Sequence, residues 1–278
     1  MGLGWINPED YSFNSFLLLE RFQIRLMMDS GGWRNNKEEW RHSMGVALKA
    51  NPAVMWYFKK RCPECSSLID EITSTSPMLD DLAEVRKAEV YALASVEDFT
   101  IYTTPELMAA NCDFISGWRK DRLYDLVDLT NKTVLDVGAG SGRLTFAAAE
   151  KAAWVYASEP VGTLREFMRD KIASENIMNI RVLDGFITHI PFPDDTFDIV
   201  MSGHVINDDI NAIDAEIAEL TRVCKSGGWL IDCRGDSKGE KQPMKPNPAL
   251  TARGWEEIRY VGSFGYDVFN HRKQVWKG

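Results

Sequence analysis

The period of the apolar positions changes partway along the chain. From Asn7 to about Val127 they recur three and four residues apart, as in Phe13, Phe16, Leu17 and Leu19, and again in Leu79, Leu82, Val85 and Val90. That is the spacing of one helix face. Helix starts punctuate it. "NPED" (7–10) sets an Asn before a Pro at the first helical position, with acids in the first turn, "NPAV" (51–54) repeats the device, and "SPMLDD" (76–81) is a Ser version. No strand-like alternation of useful length interrupts the pattern, and no internal repeat is present. The reading is an all-helical N-terminal domain over residues 1–127.

From Leu129 short β-rich runs take over: "KTVLDV" (132–137), "AWVYASE" (153–159), "NIRVLD" (179–184), "FDIVMS" (197–202) and "WLIDC" (229–233). Stretches of helical composition such as "RLTFAAAEKA" and "AIDAEIAELTRVCK" lie between them. Strands alternating with helices at this spacing imply right-handed crossovers and a parallel sheet. The final stretch, "IRYVGSFGYDVFNHRKQVWKG", reads as two further strands with "NH" (270–271) near the turn. Residues 128–278 are therefore expected to form an α/β domain with a doubly wound, mostly parallel, seven-stranded sheet.

Composition narrows the function classes. The chain has 278 residues, 26% of them charged, and a net charge of −9. Without a Lys/Arg cluster such a chain is a poor nucleic-acid binder, because phosphate neutralisation supplies most of that affinity. The longest apolar run, "FLLLERFQIRLMM" (16–28), is broken by Glu20, Arg21 and Arg25 and is too short to span a bilayer. The first residues show no basic segment leading into an apolar core, so no secretory signal is expected. Five cysteines, an odd number, fit a reducing compartment, and a cytoplasmic location is expected. "CPEC" (Cys62 to Cys65) invites a metal or redox reading. A structural zinc site needs four ligands, however, and Cys112, Cys224 and Cys233 are isolated, so buried thiols and no metal are expected.

Candidate chemistry begins at "VLDVGAGSGRL" (134–144), where an apolar run ends in Asp136 and then breaks into Gly138, Gly140 and Gly142. Glycines there let the backbone approach a ligand closely, and ligands of open α/β sheets bind beyond the carboxyl ends of the strands. A dinucleotide fingerprint needs G-x-G-x-x-G or A, but Arg143 stands at the third position, and no phosphate-cradling G-x-x-x-x-G-K-[ST] is present. Glu159 follows Asp136 by 23 positions, at the end of the second β-rich run, where a carboxylate would accept both ribose hydroxyls.

"VLDVGAGSGRL", "YASEP", "IPFPDDTFDIVMS" and "ELTRVCKSGGWLI", in this order and spacing, resemble the class I S-adenosylmethionine-dependent methyltransferases of the small-molecule type, over roughly residues 129–233. The resemblance implies a Rossmann-like domain with S-adenosylmethionine as cofactor. Asp136, Gly138, Ala139 and Gly140 would line its methionine and ribose end. Glu159 would take the ribose hydroxyls, with Pro160 stiffening the chain. Asp184, Gly185 and Phe186 would form a joint adenine edge. The loop after the fourth strand, with Ser202 and Gly203, would face the reacting centre and the acceptor.

Methyl transfer is an in-line displacement that aligns the nucleophile, excludes water and, for a protonated nucleophile, removes a proton. His204 is the best-placed base by its ordinary titration near neutrality, with Asp208 as its companion. Asp208 or Asp209 also suits the cap of the next helix. Trp33, Trp40, Trp56, Tyr57 and Trp118 are available to line an acceptor pocket, although aromatics at helical spacing usually form core. "GGWRNN" (31–36) is a candidate lid or a plain turn. The expected activity is methyl transfer to a small-molecule acceptor, with the helical half as a substrate cap. The alternatives are a non-catalytic binder of S-adenosylmethionine or S-adenosylhomocysteine that acts through partners, and an NAD-dependent oxidoreductase.

Overall fold

A computed structural model describes residues 7–31, 36–96, 104–112, 115, 117–207, 210, 213–235 and 245–278. The chain divides into two compact units, Met1–Leu107 and Met108–Gly278. The division falls before residue 127 because Leu123, Leu126 and Leu129 are buried in the core of the second unit. The helical spacing that runs to about Val127 grouped Leu123 and Leu126 with the first, and only Leu129 with the second.

In the N-terminal unit, 3₁₀ turns at Pro8–Asp10 and Phe13–Leu18 precede α1 (Arg21–Ser30), α2 (Lys37–Ala50), α3 (Pro52–Arg61), α4 (Ser66–Thr75) and α5 (Leu82–Ala94). "NPED" thus yields a single 3₁₀ turn, with the Asn7 side chain accepting the Glu9 N–H. Pro52 opens α3 as expected. Ser76 instead closes α4, and the cap of α5 is Asp81, whose carboxylate accepts the Ala83 N–H at 2.8 Å. Leu82 consequently stays exposed, while Val85 is buried. The core gathers Phe13, Phe16, Trp40, Met44, Phe58 and Ile72. Trp40 donates its indole N–H to Ser95 at 2.9 Å, which satisfies the one polar atom such a ring brings inside. Cys62 caps and Cys65 ends a 3₁₀ turn (Pro63–Cys65) between α3 and α4, both buried, with sulfurs 3.0 Å apart. Burial pushes the Cys62 thiol up to about 12, so it stays a thiol at neutral pH.

A short helix, α6 (Pro105–Asn111), carries the division, and α7 (Asp121–Tyr124) leads into the sheet. There follow β1 (Thr133–Val137), α8 (Arg143–Ala149), β2 (Trp154–Ser158), α9 (Gly162–Ser174), β3 (Ile180–Leu183), β4 (Phe197–Ser202), α10 (Asp214–Val223), β5 (Cys224–Asp232), α11 (Pro248–Thr251), β6 (Glu256–Val261) and β7 (Asp267–Gln274). The strand order is β3-β2-β1-β4-β5-β7-β6, parallel through β5, with β7 antiparallel to both of its neighbours. All five β-rich runs become strands. β1 shows why they read as continuous apolar runs: Val134 feeds one core and Leu135 and Val137 the other, so both faces are covered. The last turn is not at "NH". It spans Gly262 to Tyr266, with Gly265 at φ +82°, while Asn270 and His271 sit buried within β7. No helix among the described residues is long and apolar enough to cross a membrane.

Candidate active site at the carboxyl edge of the sheet

The strand order reverses between β1 and β4, and the loop that leaves β1 at that point carries the three glycines. Gly138, Gly140 and Gly142 have φ of +67°, +58° and +90°, in the left-handed region that side chains disfavour. Gly142, one position ahead of the Arg143 that breaks the dinucleotide pattern, has its own task. Gly142 is the left-handed residue that starts α8, and a Cβ there would lie 2.5 Å from the Phe146 ring. The N–H groups of Gly138 and Ala139 both reach the Ser158 carbonyl, at 2.8 and 3.1 Å, which ties the loop to the end of β2.

Glu159 lies one residue past β2 and is buried. Its carboxylate accepts the N–H of Gly140 at 2.8 Å through Oε2 and that of Val161 at 2.9 Å through Oε1. Burial raises its pKa to about 7, against the pull of these two N–H groups and Arg165. Pro160 follows it, half-buried. Asp136 is also buried, and its Oδ2 accepts the Thr145 hydroxyl at 2.6 Å, which joins β1 to α8. Burial raises its pKa to about 6.

Beyond β3, Gly185 is buried against the Ser158 hydroxyl, while Asp184 and Phe186 are exposed. Asp184 lies 3.4 Å from Arg165. The Glu159 N–H bonds the Leu183 carbonyl at 3.0 Å, so this segment and the glutamate share one edge. Ser158, Ser202 and Asp232 occupy the last rung of their strands, with Val137 between the two serines. Both serine hydroxyls are buried without a hydrogen-bond partner.

Past β4, Gly203 packs so closely on Arg143 that a Cβ would fall 2.4 Å from the guanidinium. His204 holds a left-handed backbone at φ +61°, uncommon for a residue with a side chain and a frequent mark of functional sites. His204 is solvent-exposed. Desolvation by the protein atoms around it, with Arg143 and Arg234 nearby, pushes the imidazole down to about 3. Its Nε2 accepts the Gly235 N–H at 3.0 Å, which fixes the neutral tautomer with the proton on Nδ1. Asp208 lies outside the described residues, as do Asp209, Trp33 and most of "GGWRNN".

Several residues here had no role in the sequence reading. Arg143 was seen only as a break in a glycine pattern. It donates to the Cys233 carbonyl at 2.8 Å and stacks 4.7 Å from the centre of the Trp118 ring. Asp232, buried at the end of β5, accepts from Arg234 Nε at 2.7 Å and lies 3.7 Å from His271. Those two partners hold it below the usual carboxylate range although burial alone would raise it. "WLIDC" carried the signal that singled out Asp136, an acid closing an apolar strand. Arg234 and His271 lie distant in sequence and had none.

A glycine loop at a topological switch point, with an acid at the end of the neighbouring strand, is the arrangement in which α/β domains hold adenosine-type ligands. Residues 135–232 match a family model described as a methyltransferase domain, and over that stretch the chain is similar to the class I S-adenosylmethionine-dependent methyltransferases. The chain is 28% identical over 117 residues to a demethylmenaquinone methyltransferase of Geobacillus sp. (strain WCH70), covering 41% of this chain and 50% of that one. It is 25% identical over 148 residues to an uncharacterized methyltransferase of Geobacillus thermodenitrificans (strain NG80-2), covering 52% and 66%. The chain thus spans half to two-thirds of the length of these curated relatives. Among solved structures, a SAM-dependent methyltransferase from Aquifex aeolicus aligns with TM-score 0.49 and 21% identity, over 62% of this chain and 96% of that one. The residues present fit the family's cofactor: a left-handed glycine loop, a buried acid bonded to it, and two partnerless serine hydroxyls on the same edge.

Proposed function

We propose that the protein transfers a methyl group from S-adenosylmethionine to a small acceptor. The observation that carries this reading is the Glu159 carboxylate bonded to the Gly140 N–H of the left-handed loop. An acid and a bare backbone are thereby set side by side, as an adenosine with free ribose hydroxyls requires. In this reading Gly138, Ala139 and Gly140 cradle the cofactor, and Glu159 takes the ribose hydroxyls. Asp184, Gly185 and Phe186 border the adenine, and Ser202 and Gly203 border the reacting centre. Asp136 acts through Thr145, holding the start of α8 against the loop. When bound, the cofactor supplies an electrophilic methyl group on a sulfonium.

His204 enters as a neutral donor and not as a strong base, because Nε2 is taken by Gly235 and the imidazole titrates far below neutrality. It orients the acceptor or the loop through Nδ1–H. A companion role for Asp208 remains part of the proposal, as does substrate capping by the helical unit.

Calorimetry with S-adenosylmethionine, S-adenosylhomocysteine and NAD tests the reading. Binding of the two sulfur compounds and not of NAD, followed by turnover on an acceptor panel, is expected. No binding by either sulfur compound overturns it, and binding without turnover across the panel favours a non-catalytic sensor.

A further inference from the structure

At the carboxyl end of β6 lies a recess of about 60 Å³, lined by Trp118, Arg119, Arg122 and the Tyr260–Ser263 turn. Its two walls are distant in sequence but pinned together, since the Ser263 hydroxyl donates to the Gly117 carbonyl. The two arginines differ. Arg119 is engaged by Asp121 through both Nε and Nη2. Arg122 has no ion pair or side-chain hydrogen bond among the described residues. Its guanidinium lies 4.5 Å from the centre of the Tyr260 ring. A stacked guanidinium has a fixed plane and leaves its N–H fork open at the edge, the geometry that takes a carboxylate or phosphate. The Tyr260 ring is itself held, because its hydroxyl donates to the Arg234 carbonyl at 2.7 Å. Asp121, whose carboxylate also feels the Arg122 charge, is held by Arg119, and the sheet acids Asp267 and Glu256 pair with Arg259 at 2.9 Å and Arg272 at 2.7 Å. Asp125 is exposed to solvent.

Both walls continue into the candidate active site. The Trp118 ring carries Arg143, which abuts Gly203. Tyr260 bonds Arg234, whose neighbour Gly235 donates to His204. The recess therefore sits on the carboxyl edge on the β6 side, across β1 from Glu159 and β2.

We infer that this recess binds an anionic group of the methyl acceptor, of carboxylate or phosphate size, through Arg122. A chain of net charge −9 thus keeps, among the described residues, an arginine without a hydrogen-bonded acid where the acceptor's tail would lie. The assignment to the acceptor rests on the methyl-transfer reading.

The test titrates the full chain by calorimetry with inorganic phosphate, acetate and neutral acetamide at ionic strength matched with chloride, and separately with S-adenosylhomocysteine. Saturable binding of phosphate or acetate but not acetamide is expected, and the stronger anion names the group. Arg122→Gln should weaken that binding by about tenfold or more, as loss of a charge-assisted fork implies. It should leave both S-adenosylhomocysteine affinity and thermal unfolding unchanged. Absence of saturable anion binding, or equal binding by Arg122→Gln, overturns the inference alone. Failure of S-adenosylhomocysteine to bind the unmodified chain overturns the methyl-transfer reading, and the acceptor assignment with it.

Discussion

Glu159 and Gly140 lock the end of β2 to the glycine loop, with Oε2 accepting the Gly140 N–H at 2.8 Å while Oε1 accepts the Val161 N–H. A glutamine of the same shape cannot do both, since its NH₂ would face an N–H donor. Hydrogen bonds to charged groups contribute about 1.5–3 kcal/mol, so Glu159→Gln should weaken S-adenosylhomocysteine binding roughly ten- to a hundredfold. Because burial raises this carboxyl to about 7, affinity in the unmodified chain should also strengthen as pH rises from about 6 to about 8. Calorimetry at several pH values reads both effects, and an unchanged affinity in Glu159→Gln removes the residue from the binding site.

Asp136 predicts a stability effect of definite sign. Its folded pKa, raised to about 6, lies above the ordinary carboxylate value, so the folded chain holds the proton more tightly. The associated stability is complete below about pH 4 and is lost as pH rises through about 6. Asp136→Asn keeps an oxygen for the Thr145 hydroxyl and cannot ionise. It should gain on the unmodified chain by up to about 3 kcal/mol between those values, and no further above them. Urea unfolding across this range decides it. A difference between the two chains that is flat with pH would mean that Asp136 titrates as an ordinary surface acid.

Much of this was legible along the chain, for identifiable reasons. Strands buried on both faces are continuous apolar runs, and Val134, Leu135 and Val137 announce β1 by composition alone. Asp136 and Glu159 stand out because an acid ending such a run is expensive unless it is bonded. Tertiary contacts are what periodicity does not carry. Leu123 and Leu126 have helical spacing whichever unit they join. The turn lies several residues before "NH" (270–271). Gly262 and Gly265 supply the turn, while Asn270 accepts the Arg234 N–H at 2.8 Å inside the sheet. Arg143 and Arg234 line the site only because the fold carries them to the same edge.

The glycine loop separates a folding role from a binding role. At Gly142 a Cβ would lie 2.5 Å from the Phe146 ring, whereas at Gly140 the nearest atom is the Met108 methyl at 3.3 Å. Both positions are left-handed, which costs alanine about 1–2 kcal/mol. Gly142→Ala must also displace the ring, adding about 1–3 kcal/mol of overpacking. In urea, Gly142→Ala should therefore unfold more readily than Gly140→Ala. Gly140→Ala should lose S-adenosylhomocysteine affinity out of proportion to its stability. Equal losses of both properties in the two variants would contradict this division.

His204 offers the sharpest spectroscopic test, because the chain has four histidines and their imidazoles can be assigned individually. Its Nε2 accepts from Gly235, and crowding by protein atoms together with Arg143 and Arg234 lowers its pKa to about 3. A base whose folded value is depressed adds stability above its ordinary value and loses it as pH falls from about 6.5 toward about 3. Long-range ¹H–¹⁵N correlation spectra should show one neutral imidazole, protonated on Nδ1 and unchanged from about pH 8 to about pH 5. Any proton-dependent limb of turnover in that window should then persist in His204→Gln. An imidazole at this position titrating near 6.5 would restore His204 as a candidate base and remove the donor role proposed for it.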